Sequence, residues 1–160
     1  MKNPIALILG LAFFVVSISC EAQTKSENLE WHTDMDEAIK ISHKQKKPLM
    51  LFFTGSDWCG WCIKLQKEVF FKPEFEAWAK KNVVLVELDF PRRKKLSEKL
   101  RQQNASLQQT FQVQGYPTIY FVEAEKTGEG RVNLNSLGKA GYMRGGPSVW
   151  IANANTFLKK

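Results

Sequence analysis

Two apolar runs constrain this chain more than anything else in it. Leu49-Met50-Leu51-Phe52-Phe53 lies between Pro48 and Gly55, and Val83-Val84-Leu85-Val86-Glu87-Leu88 stops short of Pro91. Neither run alternates apolar with polar residues, so a strand made from either must be covered on both faces. Strands of that kind sit inside a sheet with helices on each side. The segments around them carry helical signals. Thr33 reads as an N-cap with Asp34, Asp36 and Glu37 in the first turn, and Met35, Ala38, Ile39 and Ser42 mark one face. Cys62, Leu65, Val69 and Phe70 recur at helical spacing, and Pro73 opens a short helix through Phe75, Trp78 and Ala79.

Leu96, Leu100, Leu107 and Phe111 suggest one long or two short helices, with the basic run Arg92-Arg93-Lys94-Lys95 as a solvated start. A third strand spans Thr118 to Val122, a turn Glu125 to Gly130, and a fourth strand Arg131 to Leu137. Gly145-Gly146-Pro147 begins a last helix whose apolar face is Trp150, Ile151, Ala154, Phe157 and Leu158. The order is helix, strand, helix, strand, helix, strand, strand, helix. That is an α/β layered domain, and 160 residues hold one such domain.

The first residues read as a secretory leader. Lys2 precedes the uncharged run Ile5 to Ile18, which is short of the ~20 apolar residues a spanning helix needs. Small residues follow. Cys20-Glu21-Ala22 fits cleavage before Gln23, while Ser17-Ile18-Ser19-Cys20 fits a lipoprotein signal with Cys20 acylated. Residues 1–22 are thus expected to be a signal peptide, 23–30 a polar tether and 31–160 the domain. Export across the inner membrane leads to an oxidising compartment such as the periplasm, where Cys59 and Cys62 should bridge or do redox work.

Cys59-Gly60-Trp61-Cys62 follows a buried strand and opens a helix. A sulfur at a helix N-terminus meets unpaired N–H groups and the positive end of the dipole, which favour thiolate over thiol. Cys59 takes that outer position. Cys62 lies one turn deeper, so Cys59 should attack a partner disulfide and Cys62 should resolve the mixed disulfide. Gly60 lets the turn bend. A bridge across so short a loop adds little stability, which argues against a purely structural pair. The only His residues, His32 and His43, read as surface or capping residues; both precede the motif singly, and no second Cys or His pair supplies the other ligands of a zinc site. Haem attachment would need His where Ile63 stands. The net charge of +7 is not joined to an aromatic platform, so nucleic acid is not an expected partner.

Trp58-Cys59-Gly60-Trp61-Cys62 is similar to the Trp-Cys-Gly-x-Cys site of the thioredoxin superfamily, and Gly115-Tyr116-Pro117-Thr118 resembles that family's cis-proline loop. The resemblance runs from Trp31 to Leu158 and points to the secreted, single-domain thioredoxin-like branch. It implies a central mixed β-sheet flanked by helices on both faces, and a cis Pro117 beside the dithiol that presents backbone to an extended substrate. It also implies substrate contacts at Trp58, Gly60, Trp61 and Tyr116. The sequence departs from the family where a buried Asp usually stands, which is Phe53 here, and where Pro stands between the cysteines, which is Trp61.

Glu87 offers a replacement for the missing acid. It is the only ionisable residue in its strand, and in the family register it lies beneath the active-site helix. In a central parallel strand it should be largely dehydrated, where it would accept the proton of Cys62; the rival placement is a frayed strand end, with the side chain solvated or paired to a lysine. The expectation is therefore an exported monomeric thiol–disulfide oxidoreductase. It would act on protein disulfide or dithiol substrates, need no cofactor or metal, and be reset by a membrane-bound redox partner. The alternatives are a non-catalytic binding module with a closed disulfide and a peroxide-reducing thiol enzyme.

Overall fold

The computed structural model describes residues 29–128 and 131–158. The expected leader, Cys20 and most of the tether lie outside these residues. Five strands and five α-helices follow in the order β1 (Trp31–His32), α1 (Met35–Gln45), β2 (Leu49–Thr54), α2 (Gly60–Leu65), α3 (Pro73–Asn82), β3 (Val84–Asp89), α4 (Glu98–Thr110), β4 (Thr118–Lys126), β5 (Val132–Ala140) and α5 (Gly146–Leu158). A π-helical turn, Gln66–Phe70, continues α2.

The strands make one mixed sheet in the order β1-β3-β2-β4-β5. β1 and β2 run parallel to β3, whereas β2–β4 and β4–β5 are antiparallel. All six residues of β2 are buried, as its unbroken apolar run requires. One face of the sheet presents Met50, Phe52, Leu85, Ile119 and Phe121 to residues of α2, α3 and α5. The other presents Leu49, Leu51, Phe53, Val84, Val86 and Leu88 to α1 and α4. This is the thioredoxin-like sandwich, with helices on both faces.

Several expectations are corrected. Asp34 rather than Thr33 caps α1, because its carboxylate accepts the N–H groups of Asp36 at 2.9 Å and Glu37 at 3.2 Å. The basic run Arg92–Lys95 precedes α4 and is not its first turn; Ser97 is the N-cap. β4 continues through Lys126, into what reads as a turn. His32 is not a surface residue: it is 8% exposed in the short strand β1, which the sequence reading did not include. His43 Nε2 lies 2.7 Å from the carbonyl of Ala124.

Candidate active site

The site is assembled where the buried strand β2 stops. The Gly55 carbonyl accepts the N–H groups of Trp58 at 3.2 Å and Cys59 at 2.8 Å, turning the chain back over the sheet. The turn delivers Cys59 to the N-cap position of α2, where its Sγ accepts the Cys62 N–H at 3.2 Å. Cys59 and Cys62 are joined in a disulfide with Cα atoms 5.3 Å apart. Cys59 keeps 6% of its surface and Cys62 none, so of the two residues Cys59 is the one that reaches solvent.

Trp58 is held from four sides. Its Nε1 donates to the Phe90 carbonyl at 2.8 Å. The Tyr116 ring meets it edge-on at 5.8 Å, and the Arg92 guanidinium lies 4.0 Å from its ring centroid. A Cβ on Gly55 would come within 2.4 Å of the indole, so only glycine leaves room for the ring. Tyr116 stacks on Phe90 at 5.2 Å, and its burial pushes the phenol up from its ordinary range. The Tyr116–Pro117 peptide is cis. Pro117 and Thr118 line an open groove of about 500 Å³ with Gln112, Lys139 and Gly141.

Two carboxylates tie the active-site turn to the β3–α4 connection. Asp89 accepts the Ser56 N–H at 2.8 Å and the Ser56 hydroxyl at 2.6 Å. Asp57 accepts three successive backbone N–H groups, those of Arg92 at 3.0 Å, Arg93 at 2.7 Å and Lys94 at 3.2 Å. Those bonds, the Arg92 one foremost, hold the Asp57 carboxyl below the usual carboxylate range. The sequence reading passed over Asp57 and Asp89. The available signal was Ser56-Asp57 ahead of the motif, since Asp and Ser favour side-chain bonds to backbone in turns.

On the other side of the disulfide Trp61 is 57% exposed and its ring lies 5.2 Å from Tyr142. The Tyr142 hydroxyl donates to Glu68 at 2.7 Å, and Lys64 pairs with the same carboxylate at 3.2 Å. Both hold Glu68 below the usual range, the Tyr142 bond more strongly. Tyr142 too had not been singled out from the sequence.

Glu87 is half-buried, not fully dehydrated. β1 pairs with Leu85 and Val86 of this strand, so among the described residues no strand covers the outer side of Glu87. Its parity matches Leu85 and Asp89, on the sheet face that carries the cysteines. It lines a cavity of about 420 Å³ together with Ser56, Gln66, Phe70 and Lys94. The structure thus brings Cys59, Cys62, Trp58 and Tyr116 together, sets Trp61 on the opposite flank and puts Glu87 on the cavity wall. Among the described residues, no three His, Cys, Asp or Glu side chains are grouped as metal ligands would be.

Comparison with known proteins agrees with this geometry. The chain is 36% identical over 132 residues to the disulfide bond reductase DsbH of Chlamydia pneumoniae, covering 82% of this chain and 74% of that one. It is 33% identical to the thioredoxin-related protein DsbJ of the same organism, where the match covers 79% of this chain but only 36% of the longer relative. A solved DsbH oxidoreductase structure superposes with a TM-score of 0.71 at 34% identity, covering 84% of this chain and 87% of that one. A thioredoxin from Thermus thermophilus shares the fold at 14% identity, with a TM-score of 0.60 over 81% of this chain and 86% of that one. The model of the thioredoxin-like domain matches residues 35–155, and the chain belongs to that family.

Proposed function

We propose that this protein is an exported thiol–disulfide oxidoreductase that reduces protein disulfides through Cys59 and Cys62. The observation that carries the reading is the position of the pair, with the outer sulfur capping a helical run and the inner one buried behind it. The similarity to a disulfide bond reductase supports the direction of electron flow.

In the reduced enzyme the Cys59 thiolate attacks one sulfur of a substrate disulfide. A mixed disulfide forms and the substrate's other sulfur leaves as a thiolate. Cys62 then gives up its proton and attacks Cys59 Sγ, which restores the 59–62 disulfide and releases the second substrate sulfur. Two electrons pass to the substrate, and its two thiols take up the Cys62 proton and one proton from solvent. Glu87 is the proposed acceptor of the Cys62 proton; it stands on the sheet face that carries the cysteines and lines a cavity with Ser56 and Gln66 whose volume admits water. Pro117 would present backbone to an extended substrate segment, and Trp58, Gly60, Trp61 and Tyr116 are the proposed side-chain and turn contacts. A membrane-bound dithiol donor would return the enzyme to its reduced form. Export rests on the leader-like residues 1–22.

The test uses the full-length mature chain. Cys62→Ser should accumulate mixed disulfides with protein substrates that dithiothreitol releases, and Cys59→Ser should accumulate none. The wild-type protein should accelerate insulin reduction by dithiothreitol. A folded protein that does neither is the binding module with a closed disulfide.

A further inference from the structure

The run Arg92–Lys95 is unexplained by the chemistry above. Four consecutive cations repel one another, and a solvated coil would spread them. Here the backbone beneath three of them is pinned by the Asp57 carboxylate, two residues ahead of Cys59. Arg92 is also fixed on the face of Trp58. All four residues are exposed. The acids nearby are otherwise engaged: Asp57 by the loop's own N–H groups, Asp89 by Ser56, and Glu98 by Arg101 and Gln102. Glu87 shares its cavity with Lys94. Among the described residues, the ion pairs leave out Arg92, Arg93 and Lys95. The result is an outward-facing positive rim, fixed in position relative to the reacting sulfur.

We infer that the Arg92–Lys95 loop is a docking surface that selects protein substrates carrying an acidic segment beside the target disulfide. This rests on the oxidoreductase reading and specifies its substrates. A substrate segment that lies along the Trp58 edge as its cysteine reaches Cys59 meets Arg92, whose guanidinium sits on the Trp58 ring. Carboxylates on that segment complement the rim, whereas lysines meet like charge in the same place. Attraction of this kind acts mainly on the encounter rate and weakens as salt shortens the Debye length.

The experiment uses two synthetic disulfide peptides that differ only in their flanks, Asp/Glu in one and Asn/Gln in the other. At low salt the wild-type enzyme should reduce the acidic peptide with a kcat/KM about five- to tenfold higher, a size typical of steering by a few charges. That ratio should fall toward one at high salt. Arg93→Gln/Lys95→Gln should lower the ratio, and Arg93→Glu/Lys95→Glu should invert it in favour of the amide peptide. Equal rates on both peptides, or a ratio untouched by the charge variants, overturn the docking surface and leave the oxidoreductase intact. Failure to reduce either peptide overturns the oxidoreductase reading itself. Sedimentation with vesicles of one part anionic to three parts neutral lipid covers the remaining case. Salt-sensitive vesicle binding that the charge variants abolish, without a peptide preference, would assign the rim to a membrane and overturn the proposal.

Discussion

At the scale of single residues, the site depends on carboxylates that never touch the sulfurs. Among the described residues Asp57 is in no ion pair; its oxygens accept three backbone N–H groups of the basic loop. Its carboxyl is held below the usual range, so this contribution is complete above the unfolded value of ~3.9 and is lost as pH falls through the lower folded value. Asp57→Asn should therefore strip protection from the amides of Arg92, Arg93 and Lys94 at pH 7 by hydrogen exchange. In the wild type the same amides should shift only below about pH 4. Unchanged protection in the variant would remove Asp57 as the anchor. Glu87→Gln keeps the shape of the cavity wall and removes the proposed base. Release of the mixed disulfide should slow at pH 7 while the initial attack by Cys59 is little changed. Resolution at the wild-type rate between pH 6 and 8 would show that Glu87 does not take the proton.

At the scale of elements, the active-site helix is unusual in how it ends. α2 gives way at Gln66 to a π-helical turn, in which the Phe71 N–H reaches the Gln66 carbonyl at 2.8 Å. Val69 and Phe70 in this turn are both buried against the sheet. The turn between β2 and α2 packs just as closely against the β3–α4 connection, with the Trp58 indole over Gly55. Gly55→Ala would force that ring away, breaking its bond to the Phe90 carbonyl and its contact with Arg92. Overpacking of this kind costs about 1–3 kcal/mol, so the urea midpoint should fall with an unchanged slope. A midpoint equal to wild type would mean that the turn has slack the geometry does not show.

At the scale of the whole molecule, one aromatic cluster joins the active-site face to the C-terminal helix. Trp150 is fully buried and its ring lies 5.4 Å from Phe70, 5.6 Å from Phe75, 6.0 Å from Trp78 and 6.2 Å from Phe121. Its Nε1 donates to the Gly141 carbonyl at 3.0 Å. It therefore links α5 to the π-turn, α3 and β4. Trp150→Ala should cost about 3–5 kcal/mol, a large fraction of the ~5–15 kcal/mol that holds a domain together. Thermal denaturation followed by circular dichroism measures it. A loss below about 1 kcal/mol would mean that the cluster closes over the gap.

The sequence by itself determined the layers and the place of the cysteine pair. Unbroken apolar runs at Leu49–Phe53 and Val83–Leu88 can be satisfied only inside a covered sheet, and a Cys-x-x-Cys at the strand-to-helix junction carries its chemistry in its spacing. Both signals are local, within one strand or one turn. Strand β1 was not legible, because two residues are too few to show a period. The burial of Glu87 was misjudged for the same reason, since the length of the neighbouring strand decides how much of it is covered. Only the tertiary structure turned Arg92–Lys95 from a helix start into a fixed rim. That outcome depends on Asp57, 35 to 37 positions away in the chain, which captures the amides of the loop. It depends equally on Trp58 offering its face to Arg92. Bonds between residues so far apart leave no periodic trace, so the cysteine pair can be read from the sequence and the surface that flanks it cannot.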